Sequence, residues 1–195
     1  GGGKAEQIFL RGFDIDHGTD IRLTVDGIPI NMVSHAHGQG YADAHFIIPE
    51  LIEAVDFKKG LYDADKGNFS TAGWANFRTK TTLDHSFAKA EIGQFTTYRL
   101  VSGVNILKTD KNNAYLAGEY NYSDAYFEAP QNFNRFNLLG KYHSHLSKNT
   151  TFTLTASTFW RKWNASGQIP DRAVADGSIG FYGAIDPNEG GQTSR

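Results

Sequence analysis

Cysteine is absent from the 195 residues, which removes disulfide frameworks, thiolate zinc sites, iron–sulfur clusters and cysteine nucleophiles together. Long apolar runs are missing as well, and no stretch approaches the roughly eighteen residues that a spanning helix needs. The start, Gly1-Gly2-Gly3-Lys4, holds no apolar signal core. Methionine occurs once and proline five times, beside 14 Phe, 9 Tyr and 21 Gly, a balance that disfavours a helical bundle. Nineteen basic against 21 acidic side chains leave a net charge of −2, so no nucleic-acid partner is expected. Also missing are a Gly-x-Ser-x-Gly elbow, a P-loop and a dinucleotide fingerprint, and enzyme activity has no support in the sequence.

What is present divides near Lys80. Residues 1–80 carry eight basic and eleven acidic side chains and mix short apolar runs with glycine turns, as an α+β unit does. Ile8-Phe9-Leu10 leads into Arg11-Gly12-Phe13, a polar loop covers residues 14–20, and the strand Ile21-Arg22-Leu23-Thr24-Val25 ends at the turn pair Asp26-Gly27. After a loop over residues 34–44, Pro49 opens an expected short helix Glu50-Leu51-Ile52-Glu53-Ala54, followed by a strand over residues 54–58 and a Lys59-Gly60 stop.

From Ser86 onward, five segments alternate with the period of two that separates the faces of a strand. Even positions hold Ala88, Ala90, Ile92, Tyr98, Leu100, Val104, Leu116, Tyr120, Phe136, Leu138, Leu154 and Trp160. Odd positions hold Lys89, Glu91, Arg99, Glu119, Arg135, Lys141, His143 and Thr153. Short polar turns at residues 108–113 and 147–149 alternate with longer loops at residues 128–132 and from Ala165 onward, which fits an up-and-down meander. A soluble sandwich also alternates, but a uniform apolar face with Tyr98, Tyr122 and Trp160 towards strand ends favours lipid on that side and a wet lumen on the other.

Several chemistry-bearing patterns have plainer explanations. His35-Ala36-His37 with His45 has imidazoles at metal-ligand spacing, yet no further ligands follow on later elements, and no metal site is expected. Asp14-x-Asp16-x-Gly18-x-Asp20 imitates a calcium loop, but Val25 stands where the bidentate Glu belongs. The glycosylation-type triplets at Asn68, Asn121, Asn149 and Asn164 are expected by chance in a chain rich in Asn and Thr.

A set of motifs in order resembles the plug domain of TonB-dependent outer-membrane receptors. Ile8-Phe9-Leu10-Arg11-Gly12-Phe13 resembles that family's apolar-Arg-Gly strand, Leu23-Thr24-Val25-Asp26-Gly27-Ile28-Pro29 its Val-Asp-Gly-Val-Pro turn, and residues 47–60 its helix and strand closing in Arg-Gly, here Lys59-Gly60. Residues 68–80 take the place of the glycine-rich stretch before the barrel, with Lys66-Gly67 for the family's Tyr-Gly and Gly73 for its double glycine. The resemblance implies an α+β plug segment over residues 1–80 and antiparallel transmembrane β-barrel strands over residues 81–195, five of about 22 in a plugged barrel. It implies a fragment beginning inside the plug and ending in an external loop, without signal peptide or TonB box.

The implied function is energised uptake of a scarce solute, most often a ferric siderophore or other metal chelate, across the cell outer membrane of a Gram-negative bacterium. The implied partners are the TonB coupling protein, through a segment outside these residues, the solute, and outer-membrane lipid; no cofactor is implied. The plug loops that face the solute in this family correspond to His17 in the first loop and His35, His37, Gln39 and Tyr41 in the second. Arg11 and Lys59 fall at the two basic positions that pair with the inner barrel wall. The alternative reading is a soluble secreted β-rich ligand-binding module.

Overall fold

The computed structural model describes residues 8–14, 18–34, 39–164 and 169–184. They fall into two compact units that meet in sequence at Lys80 and Thr81.

In the first unit, β1 (Phe9–Leu10) and β2 (Phe13–Asp14) form a hairpin whose two-residue turn is Arg11-Gly12. Both turn residues have positive φ, 55° and 82°, the mirror-image geometry that matches the twist of tight hairpins. The same device joins β3 (Ile21–Val25) to β4 (Ile28–Pro29) through Asp26 (φ 50°) and Gly27 (φ 81°). With β5 (Ile52–Lys59) and β6 (Gly73–Thr79) these make a four-stranded sheet in the order β4-β3-β6-β5. The pair β3 and β6 is parallel and the other pairs are antiparallel.

Alternation in β3 divides the two faces of this sheet. Ile21 and Leu23 are buried with Ala42 and Ala72, and Ile8, Leu10, Ile30, Ala75 and Phe77 pack around them. Arg22 and Thr24 point the other way, beside Trp74 and Asn76. The helix expected after Pro49 is a single 3-10 turn, Pro49–Leu51, and the chain turns extended at Ile52. Proline presets the first turn, but Ile52, Val55 and Phe57 prefer the pleated ladder with β6, so β5 begins earlier than the pattern implied.

The second unit is a meander of β7 (Phe87–Gly93), β8 (Thr97–Lys108), β9 (Asn112–Ser123), β10 (Phe133–Ser147) and β11 (Thr150–Lys162), each antiparallel to the next. A short helix, α1 (Asp171–Ala175), follows. Register rows cross the whole sheet: Ala90, Leu100, Tyr120, Phe136 and Trp160 stand side by side, and so do Ala88, Ser102, Gly118, Leu138 and Thr158. Leu100, Tyr120, Phe136 and Trp160 of these rows are exposed and Leu138 is half-buried, whereas Val101, Tyr115, Ala117, Glu119, Asn137 and Lys141 on the odd face are buried.

Two bulges modify the alternation. Asn105 pairs with Tyr115 but Leu107, not Ile106, pairs with Ala114, so the parity of β8 reverses beyond Asn105. The Asn105 side chain bonds both backbone groups of Leu83 there, with its carbonyl oxygen accepting from Leu83 N at 3.3 Å and its amide donating to Leu83 O at 2.9 Å. A second shift between His145 and Ser147 displaces Leu146 at the end of β10. Even numbers therefore mark the exposed apolar face on β7, on β9 to β11, and on β8 only as far as Val104.

The alternation has a direct test in the intact protein, on the expectation that the even face meets lipid. Leu154→Lys puts a charge on the apolar face, where a cation near the bilayer midplane costs about 2–4 kcal/mol, and barrel assembly read by heat-modifiable gel mobility should fail. Thr153→Lys on the opposite face should assemble; equal behaviour of the two variants would refute the assignment of faces.

Candidate functional site

The expected solute residues are only partly within the described structure. His17, His35 and His37 lie outside the described residues. Gln39 is exposed, and Tyr41 is buried at the base of its loop. That base is closed by Met32 N donating to Tyr41 O at 2.8 Å, Gly40 N donating to Met32 O at 2.7 Å, and a bridge between Asn31 and Ala42. Asn31, which the sequence reading did not single out, is the organiser. Its buried side chain accepts from Leu23 N at 2.7 Å and donates to Ile21 O at 2.9 Å and Gly40 O at 3.2 Å, tying the loop to β3.

Gly40 (φ +75°) has no room for a side chain, because a Cβ there would collide with the carbonyl of Gly18. The bases of the two histidine-bearing loops therefore touch, through backbone that only glycine permits. Arg11 and Lys59 are also brought together. Both are exposed, and the Arg11 guanidinium lies 3.2 Å from where a Cβ of Gly60 would stand, immediately beside Lys59.

A second polar arrangement covers the other face of the β3–β6–β5 sheet, around an open cavity of about 530 Å³. Asp63 receives hydrogen bonds from Lys58 Nζ at 2.6 Å and Trp74 Nε1 at 2.7 Å, and Lys66 Nζ sits 4.3 Å above the Trp74 ring. The Lys58 bond, then the Trp74 bond, hold the Asp63 carboxyl below its ordinary 3.8. Asn76 Oδ1 accepts from Thr24 Oγ1 at 2.7 Å and Gly27 N at 3.0 Å, fixing the β3–β4 turn to β6.

On the odd face of the meander, Glu119 is a hub with no side-chain exposure. It accepts from Arg99 Nε at 2.6 Å, Arg135 Nη2 at 3.1 Å and Asn137 Nδ2 at 2.7 Å, and Arg99 also pairs with Glu91 at 3.2 Å. One buried carboxylate on β9 thus clamps the strands on either side, and removing one partner of such a pair costs about 3–5 kcal/mol.

The long-loop end of the sheet carries an aromatic cluster. Tyr126 touches Phe95, Phe127 and Tyr182 with ring centroids 6.3, 4.4 and 5.2 Å apart, and Phe181 packs on Tyr182 at 4.9 Å. Backbone bonds join the loops that supply these rings: Asp124 N to Phe95 O at 3.0 Å, Glu128 N to Tyr182 O at 3.0 Å, and Asn164 N to Gln131 O at 2.7 Å. Phe95, Tyr126, Phe181 and Tyr182 each remain about half exposed. Sequence reading missed this cluster because its members lie in irregular loops with no periodic signal.

With this geometry in view, the relatives are informative. Residues 1–74 match the family model of the TonB-dependent Receptor Plug Domain. A TonB-dependent heme receptor A of Haemophilus influenzae is 33% identical over 79 residues, 40% of this chain and 10% of that protein. Among solved structures, the ferric-catecholate import receptor Fiu of E. coli K12 in its open form aligns at a TM-score of 0.61 with 22% identity, over 86% of this chain and 24% of that one. The pyoverdine outer membrane receptor FpvA of Pseudomonas aeruginosa PAO1 aligns at 0.58 with 19% identity, over 83% and 23%. The fold is thus that of part of a plugged barrel. Residues 1–74 are similar in sequence to the plug domain of TonB-dependent receptors. The chain spans about a quarter or less of the length of these relatives.

Asn31→Ala in the full-length receptor should leave the Leu23 amide buried without an acceptor, at a cost of about 1–3 kcal/mol. Amide hydrogen exchange should accelerate at Leu23 and Gly40 while the β7–β11 ladders keep their protection. Unchanged exchange at both residues would remove Asn31 as the organiser of the loop base.

Proposed function

We propose that residues 1–80 serve as the C-terminal part of the plug, and residues 81–195 as the start of the barrel, of a receptor that takes up a metal chelate with energy delivered by the TonB coupling protein. The observation that supports this reading is the close approach of Gly18 and Gly40 at the bases of the two loops whose sequence carries His17, His35 and His37. Imidazole can ligate an incompletely chelated metal, donate to an anionic chelate or stack upon it. On the second unit, the half-exposed rings of Phe95, Tyr126, Phe181 and Tyr182 are a stacking surface of their own.

The solute class is supported by relatives whose names specify ferric-catecholate import, pyoverdine and heme. In the intact receptor, replacing His17, His35 and His37 together by alanine should weaken binding of the cognate chelate at least tenfold, with heme and ferric siderophores assayed in separate titrations. Undiminished binding of the cognate chelate would leave these histidines as lining of a wet vestibule.

Arg11 and Lys59 are assigned to holding the plug against the barrel wall. The Arg11 guanidinium lies against Gly60, the residue that follows Lys59, and an acidic wall would receive it there. Lysine lacks the bidentate fork of arginine, so Arg11 is the stronger half of the pair. Arg11→Ala should raise the accessibility of engineered plug cysteines to thiol reagents and lower uptake; no change in either would remove the locking role.

A further inference from the structure

The exposed apolar face of the meander is not smooth. At one register row three small residues stand side by side on neighbouring strands, Ala88 on β7, Ser102 on β8 and Gly118 on β9. They floor a recess of about 330 Å³ walled by Leu100, Tyr120 and Phe136, with Lys89, Val101 and Glu119 of the next register row also in its lining. One wall is fixed in place, since the Tyr120 hydroxyl donates to Asn134 Oδ1 at 2.8 Å.

The depth of the recess decides its occupant. Tyr98 and Tyr122, opposite each other and stacked at 6.5 Å, lie at the long-loop end of their strands, where external loops and an interfacial aromatic belt are found. Gly118 is four residues deeper than Tyr122, about 13 Å along a strand and, at a tilt near 45°, about 9 Å below the belt. That position is inside the outer half of an apolar band about 25 Å tall. Water has no place in an apolar recess at this depth, and a void would forfeit dispersion contacts along its whole lining. The recess is continuous with the lipid-facing surface around it.

We propose that this recess is a seat for one acyl chain of an outer-leaflet membrane lipid, held longer than the lipid that slides over the rest of the face. The seat rests on the lipid-facing assignment of the even face, and assembly and lipid retention are therefore read separately. Gly118→Ala adds a methyl group that meets Asn137 O and Leu138 Cδ1 at an ordinary 3.7 Å, so it narrows the seat without threatening the fold. Ser102→Phe fills it. Thr158→Phe adds the same bulk in the same row, two strands beyond Gly118 and outside the recess, as the control.

The full-length receptor, reconstituted with lipid A, the acylated lipid of that outer leaflet, and extracted into mild detergent, is examined by native mass spectrometry after heat-modifiable gel mobility has established assembly. The wild type and Thr158→Phe should retain one lipid adduct that resists collisional activation. Gly118→Ala should lower its retention about fourfold, the value of roughly one displaced methylene, and Ser102→Phe should abolish it. Equal adducts in all four proteins, or a dimer signal lost on filling the recess, would overturn the proposal, the second by giving the recess to another copy of the chain. If Ser102→Phe does not assemble, Gly118→Ala against wild type decides alone.

Discussion

In hydrocarbon, each backbone N–H and C=O must find its partner inside the protein, and that requirement shapes the second unit more than any side chain does. The ladders from β7 to β11 meet it with consecutive antiparallel pairs and turns of two or three residues at one end. Once the ladders exist, strand geometry forces alternate residues to opposite faces, and the apolar set must follow lipid. The bulge at Asn105 shows the constraint from the other side. An inserted residue there reverses parity, and Leu107 takes the position opposite Ala114 with Ile106 left unpaired, while Asn105 turns its amide to the backbone of Leu83. The free edges of β7 and β11 carry the same demand outward, since an unpaired edge in lipid is costly and needs a further strand.

The side chains shielded from lipid are organised by charge instead. Glu119, fully enclosed, is satisfied by two guanidiniums and an amide, and the groups it binds come from the strands before and after its own. Such a hub fixes the register of three strands at one point. The first unit works differently, because its sheet is mixed and has one face with an apolar core and another with a polar network. Asp63, Trp74, Lys58 and Lys66 cross-link that polar face, and Asn31 fastens the loop that follows β4. Both devices hold loops and turns to a rigid sheet, which is the arrangement a receptor needs if its ligand-facing segments are to be positioned by a scaffold.

The proposed chelate site and the proposed acyl seat draw on separate parts of the chain. The first depends on loops gathered at Gly18 and Gly40. The proposed acyl seat depends on three small residues that the register places in one row.

Much of this was legible in the amino-acid sequence, because period two needs nothing but the order of residues. The five alternating segments, the turn pair Asp26-Gly27 and the plug-like motif order could all be read directly, whereas Arg11-Gly12, read as part of a strand, is a hairpin turn. The start of β5 could not, since Pro49 signals a first helical turn and only the ladder with β6 draws Ile52 into a strand. Nor could the reversed parity of β8, which one inserted residue creates without altering the composition of the segment. The Glu119 hub, the contact of Gly40 with Gly18, the meeting of Arg11 with Gly60 and the row of Ala88, Ser102 and Gly118 join residues 14 to 49 positions apart. Sequence determined which side of each strand was apolar, because neighbours along a chain alternate whatever lies around them. Tertiary structure alone decided which residues face one another, because register between strands is a property of pairs and no single segment contains it.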